Sequence, residues 1–308
     1  MEPQAPIVRI CGFIILISCA IFVVIELLNL IILCRKRSLL KKNFVYLIIT
    51  VVGFLDFGQQ IIHLLSGIWS VFYLNPPFGL NMFLGALVDF LYNLSIVSGL
   101  VLSINRFYIF YNLSDTLTKI TKFVFGILLV FFVVTIIVFF ILHQFYYLRV
   151  YYDIDVASWN FVSTEENNYA HYYFENRLMT AINLLSLLVF SIAMFKLFFQ
   201  KCLNSSVSMT IQKYDYFIFI KVILNFFCIF TTQFLWECGV YFWPDYDYLY
   251  TILNTLWVLT TGRDCCLNII CLSEIRNDIV KMFSRKKSNL GSRKLNVMYT
   301  RRLTLKMS

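Results

Sequence analysis

The chain has 308 residues, of which 60% are hydrophobic, 18% aromatic and only 14% charged. A soluble domain of this size carries roughly a quarter of its residues as charges, so the composition excludes an ordinary soluble protein and points to a polytopic membrane protein. The formal net charge of +9 does not indicate nucleic acid, because the basic residues lie in short flanks beside apolar runs and in the C-terminal tail, as loops held in the cytosol do.

Seven apolar segments follow in chain order: Ile10–Cys34, Phe44–Val71, Leu80–Phe110, Phe123–Tyr146, Leu178–Phe199, Tyr216–Val240 and Leu249–Leu272. Apolar runs of about twenty residues read as helices, whereas membrane strands alternate over about ten, so the expected class is all-α. The first segment is longer than the roughly 7–15 residues of a signal-peptide core, and it reads as a spanning helix. Arg35, Lys36, Arg37, Lys41 and Lys42 follow it. Lys119 and Lys122 precede the fourth segment, and Lys201 and Lys213 lie between the fifth and sixth. The alternate connections are poor in basic residues, which predicts an N-terminus outside and a C-terminus in the cytosol.

The third segment runs without a basic side chain until Arg106, as a helix does on reaching cytosol. The longest connection, Tyr147–Glu175, is rich in Tyr, Asn and acidic residues. It reads either as a lid over a ligand entrance or as a solvated connector. After the seventh segment, Ile275, Ile279, Met282 and Phe283 share one helical face, predicting an amphipathic eighth helix over Glu274–Phe283. The membrane domain thus spans 1–283. The tail, 284–308, has eight Lys or Arg and no acidic residue. It is expected to be disordered and drawn to the anionic inner leaflet at about 1 kcal/mol per nearby cation, or to be a tail without a specific partner.

A charged or amide group in a membrane helix costs on the order of 2.5–3.5 kcal/mol, so it faces protein or water. Asn29, Asp56, Ser95, Asp264 and Asn268 fall deep and are expected to form one polar network with Arg263 as counter-ion; the alternative is that each is satisfied separately. Nearer the outside, Asp89, Asn93, Gln233 and Glu237 line a candidate pocket with Trp236 and Trp257, suited to a small, mostly apolar ligand. Tyr241, Trp243 and Tyr250 lie nearby, and such aromatics also form interfacial belts. The nine cysteines show no metal-ligand spacing, and His63, His143 and His171 are scattered. No metal site, cofactor or catalytic constellation is expected.

Seven helices, a basic first loop, an arginine ending the third span and an amphipathic eighth helix together resemble the rhodopsin-like G-protein-coupled receptors. Asn29 and Asp56 match that family's first-helix asparagine and second-helix aspartate. Asn105-Arg106-Phe107 stands in place of Asp/Glu-Arg-Tyr, Asp264-Cys265-Cys266-Leu267-Asn268 in place of Asn-Pro-x-x-Tyr, and Ile275-Arg276 in place of Phe-Arg. The wording Leu102-Ser103-Ile104-Asn105-Arg106 and Leu272-Ser273-Glu274-Ile275-Arg276 looks most like the nematode serpentine chemoreceptors of the Srt and Srx types. The resemblance implies a plasma-membrane receptor of a sensory cilium that binds an odorant-like small molecule and engages a heterotrimeric G protein through Asn105, Arg106 and Phe107. The departures are specific. All five prolines lie outside the apolar segments, and Asn81 stands where the family has the cysteine of its extracellular disulfide. Competing readings are a transporter or ligand-gated channel, which internal repeats would favour and which are not found, and a peptide receptor.

Overall fold

A computed structural model of the chain describes residues 6–111, 115–145, 148–161, 169–203, 213–243, 248–272 and 275–282. Eight helices and one hairpin have defined bounds: α1 (Pro6–Arg35), α2 (Arg37–Lys42), α3 (Phe44–Phe72), α4 (Phe78–Tyr111), α5 (Asp115–Leu142), strands β1 (Val150–Asp153) and β2 (Ser158–Phe161), α6 (Tyr169–Leu203), α7 (Lys213–Phe242) and α8 (Leu249–Cys271). Six of these helices are long and apolar enough to cross a membrane. The remaining long one, α8, is less apolar because it carries Thr251, Asn254, Arg263, Asp264 and Asn268, yet it packs against α1, α3 and α7 as a full member of the bundle.

The pattern of burial is that of a protein dissolved in hydrocarbon. Phe123 and Phe195 are each 70% exposed, whereas Asp56, Gln59, Gln60 and His63 are almost fully buried. Apolar side chains lose nothing by facing lipid, so what the bundle must enclose is its polar groups. In α3 the enclosed face is continuous: Thr50, Gly53, Asp56, Gln59, Gln60, His63, Ser66, Gly67 and Ser70 recur at three- and four-residue intervals and all are buried. The sequence reading took only Asp56 from this stripe.

Helix α4 is the strut. It packs against α3, α5, α6 and β1, while α5 lies outside it with few buried residues. Asn43 caps the start of α3, its side chain accepting from Val45 N. At the other end Tyr73 adopts a left-handed conformation (φ 51°) and Leu74 N donates to Trp69 O at 2.9 Å. Pro76 and Pro77 then stand just before α4, where a missing N–H costs no helix bond.

Several bounds differ from those expected. The fourth apolar segment begins as a helix at Asp115, eight residues before Phe123, because a carboxylate in the first turn suits the helix N-terminus. That helix stops at Leu142; residues 143–145 turn away toward the hairpin. The connection Tyr147–Glu175 is no plain loop. Val150–Asp153 and Ser158–Phe161 pair antiparallel with Tyr152 opposite Trp159, and the helix expected from Leu178 already begins at Tyr169. Residues 275–282 are helical, with Ile275 buried and Ile279 packed against the same core as Leu33 and Leu102. Phe283 and the basic tail lie outside the described residues.

Candidate functional site

The hairpin is fixed to three helices at one end of the bundle. Asn81 on α4 pairs with the backbone of Tyr152 as a strand would, its Oδ1 accepting from Tyr152 N at 2.7 Å and its Nδ2 donating to Tyr152 O at 3.0 Å. Tyr152 Oη shares a hydrogen bond of 2.6 Å with Ser70 Oγ of α3. The turn is held by α8: Thr251 Oγ1 donates to Val156 O at 2.5 Å and Asn254 Nδ2 to Ala157 O at 2.9 Å. Tyr73 donates to Asp155 at 2.5 Å, and this bond to a carboxylate raises its phenol above the ordinary value. Asn81 thus ties down the long connection at the position where a disulfide was noted as missing. Gly85 lets β1 lie close against α4, since a Cβ there would press on the Val150 carbonyl, 2.7 Å from its carbon.

Under the hairpin lies a cavity of about 50 Å³ lined by Asp89, Tyr92, Val150, Trp159, Phe161, Asn176, Thr232, Gln233, Trp236 and Trp257. Its volume holds a few water molecules. Of the six pocket residues singled out from sequence, Asp89, Gln233, Trp236 and Trp257 are on its wall. Asn93 is one turn below, donating to Asp89 Oδ2 at 3.0 Å and to Glu175 Oε1 at 2.8 Å. Glu237 is not on the wall; it faces the exposed Arg177 at 3.4 Å. Tyr241 and Trp243 point outward and are more than half exposed. The cavity walls contain buried donors without acceptors: Trp159 Nε1, Trp257 Nε1, Asn176 Nδ2 and Gln233 Nε2. Trp257 is held edge-on by His63 and Tyr92, with ring centroids 5.0 and 5.3 Å away.

Beside the cavity, the structure joins two residues that sequence reading left apart. His143 Nε2 lies 3.2 Å from Glu175 Oε2 and 3.4 Å from Asp89 Oδ2. All three side chains are buried. Glu175 had been placed among the solvated acids of a loop, but it sits in the first turns of α6, facing inward.

A second polar cluster fills the middle of the bundle. Ser95 Oγ and Gln59 Nε2 each donate to Asp56 Oδ1 at 3.3 Å. Asp264 is gripped by Arg263 through Nε at 3.0 Å and Nη2 at 2.9 Å, and Lys221 Nζ stands 3.6 Å away on its other oxygen. Lys221 also donates to Asn268 Oδ1 at 2.7 Å, and Arg263 reaches Asn225. Asn29 binds the Cys265 carbonyl at 2.9 Å rather than any of the other named side chains. The cluster therefore contains a second cation, Lys221. Its Nζ spans from α7 to two partners on α8.

At the far end of α4, Arg106 is buried, and Phe107 stacks on Tyr111 with centroids 4.6 Å apart. Lys196 of α6 donates to Tyr111 O at 2.8 Å, and Ser103 and Ser186 share a 2.8 Å hydrogen bond, so α4 and α6 are joined above and below Arg106. Lys36 holds Asp278 at 2.8 Å and keeps that carboxyl below its ordinary value.

No protein-family model matches the sequence, and no curated protein does. Among solved structures, squid rhodopsin superposes with a TM-score of 0.67 over 92% of this chain and 87% of its own length, at 12% identity. The likeness establishes a rhodopsin-like helical fold for a membrane protein.

Proposed function

We propose that the chain is a G-protein-coupled receptor in which a small molecule bound under the hairpin stabilises a conformer whose opposite end engages a heterotrimeric G protein. One observation carries the reading: a single helix, α4, presents Asp89 to the cavity and Arg106 to the other end. Seventeen residues separate them, about 26 Å along a helix axis. A ligand acts on such a bundle only through its differential affinity for two conformers. The topology follows the charge bias, with the hairpin outside and the helical residues 275–282 against the inner leaflet beside the basic tail. In this reading Asn29, Asp56, Ser95, Asp264 and Asn268 belong to the polar relay between the two ends.

The cavity chemistry favours a small ligand over a peptide. Aromatic walls supply an apolar lining, and the two indole N–H groups without acceptors call for carbonyl, ether or hydroxyl oxygens on the ligand. The nematode serpentine wording of the third and seventh helices fits a chemosensory receptor for an environmental small molecule, working in the plasma membrane of a sensory cilium.

Asn105 stands where the related receptors carry the acid that holds their arginine, and an amide offers no charge to Arg106. A carboxylate at this position, as in Asn105→Asp, is expected to hold Arg106 more tightly and to lower signalling without ligand. In cells, second-messenger output should exceed the untransfected level, fall in Asn105→Asp, and rise in response to members of a panel of oxygenated volatile molecules. A wild type that is silent alone and with every panel member, together with an equally silent Asn105→Asp, would overturn the proposal.

A further inference from the structure

We infer that Asp89, His143 and Glu175 form a binding site for a first-row divalent metal ion, zinc being the best match, beside the cavity under the hairpin. The ligand atoms of the three residues all lie within 4.8 Å of one another. Donors at about 2.1 Å from a tetrahedral zinc stand about 3.4 Å apart. The imidazole is at that spacing from both carboxylates, 3.2 Å from Glu175 Oε2 and 3.4 Å from Asp89 Oδ2.

The orientation of His143 is a second and independent observation. Its Nδ1 is 2.8 Å from the Leu148 carbonyl, an acceptor only, so Nδ1 carries a proton and donates it there. In its neutral form the ring turns the Nε2 lone pair toward two carboxylate oxygens, and the three atoms then converge as a ligand set on one buried point. A backbone carbonyl on the far ring nitrogen is one of the acceptors that orient metal-binding histidines. Asn93 completes the shell, donating to Asp89 Oδ2 at 3.0 Å and to Glu175 Oε1 at 2.8 Å, which holds both carboxylates in place.

Two carboxylates and a neutral imidazole around a divalent ion sum to zero charge, a state compatible with the burial of all three side chains. The mixed nitrogen and oxygen donor set suits zinc better than calcium or magnesium, which favour oxygen alone. Three protein ligands leave a fourth position open. Asp89 belongs both to this trio and to the cavity wall, so a cation held here sits next to whatever occupies the cavity.

The test needs neither ligand nor G protein, and its failure would leave the receptor reading untouched. The full chain in lipid nanodiscs is stripped with a chelator, and its melting temperature is followed as free zinc is raised from nanomolar to about 100 μM. The expected result is a saturable upward shift with an affinity in the micromolar range or tighter. Glu175→Gln, which keeps the shape of the side chain, and His143→Gln should weaken it by roughly 100-fold, on the scale of losses from disturbed metal shells. Cys34→Ser, which removes an exposed thiol at the other end of the bundle, should leave it unchanged. Should His143→Gln fail to fold, Glu175→Gln alone decides. The inference is overturned if wild type shows no zinc-dependent shift, if Glu175→Gln shifts as wild type does, or if Cys34→Ser abolishes the effect.

Discussion

Asp264→Ala is expected to destabilise the protein by about 3–5 kcal/mol, the range for removing one partner of a buried ion pair. Asp264 is held by Arg263 at 2.9 Å and faced by Lys221 at 3.6 Å, in the interior between α7 and α8. Without the carboxylate, two cations are left in a mostly buried space, with Asn268 and Asn225 as neutral partners. The loss arises from those uncompensated charges more than from the bonds removed. It follows that Asp264→Ala combined with Lys221→Met should recover part of the stability, since the second change removes one of the two stranded cations. Thermal unfolding in nanodiscs measures both. A single variant that melts within a degree or two of wild type would contradict the arrangement.

Gly85→Ala is expected to cost at least tenfold in ligand potency while the protein still folds. The added methyl would meet the Val150 carbonyl, which belongs to backbone and cannot rotate away. Overpacking of this kind costs about 1–3 kcal/mol, and here the yielding element is the hairpin, which is smaller than any helix behind it. Moving β1 moves Val150, Trp159 and Phe161 together, three residues of the cavity wall. Asn81→Ala attacks the same attachment from its hydrogen bonds and should act in the same direction. Dose–response curves for any active ligand compare the three proteins. Unchanged potency in Gly85→Ala would show that the hairpin does not form the ligand's enclosure.

The seven long helices were legible because each contains an apolar run of spanning length, whereas the short α2, Arg37–Lys42, left no such signal. Helix ends were less so. Asp115 and Tyr169 begin their helices in polar sequence, where local capping and charge outweigh hydropathy. Asp56 and Ser95 could be placed at one depth from sequence, because rise per residue fixes depth. Which neighbour each would meet could not, because the rotation of a helix about its axis is set by packing. Lys221 illustrates this: its contact with Asp264 depends on how α7 and α8 face one another.

The cluster of Asp89, His143 and Glu175 was the least legible. Its members come from α4, the turn after α5 and the start of α6, with His143 and Glu175 separated by 32 positions. No fixed spacing marks such a site. The hairpin did leave a signal: two short runs rich in aromatic residues, Val150–Asp153 and Ser158–Phe161, flank a four-residue turn that carries Asp155. It was obscured by the polar composition of the whole connection. The disulfide is a related case. Asn81 was conspicuous as a missing cysteine, but the two hydrogen bonds that it makes to Tyr152 depend on a strand that the sequence reading did not draw.

Reconstitution with G protein tests the central claim most directly. Purified wild-type protein in nanodiscs should accelerate nucleotide exchange on a heterotrimeric G protein, and Arg106→Ala should reduce that acceleration to the uncatalysed rate while melting within a few degrees of wild type. Acceleration by Arg106→Ala equal to that of wild type, or no acceleration by wild type with any class of G protein, would contradict the account.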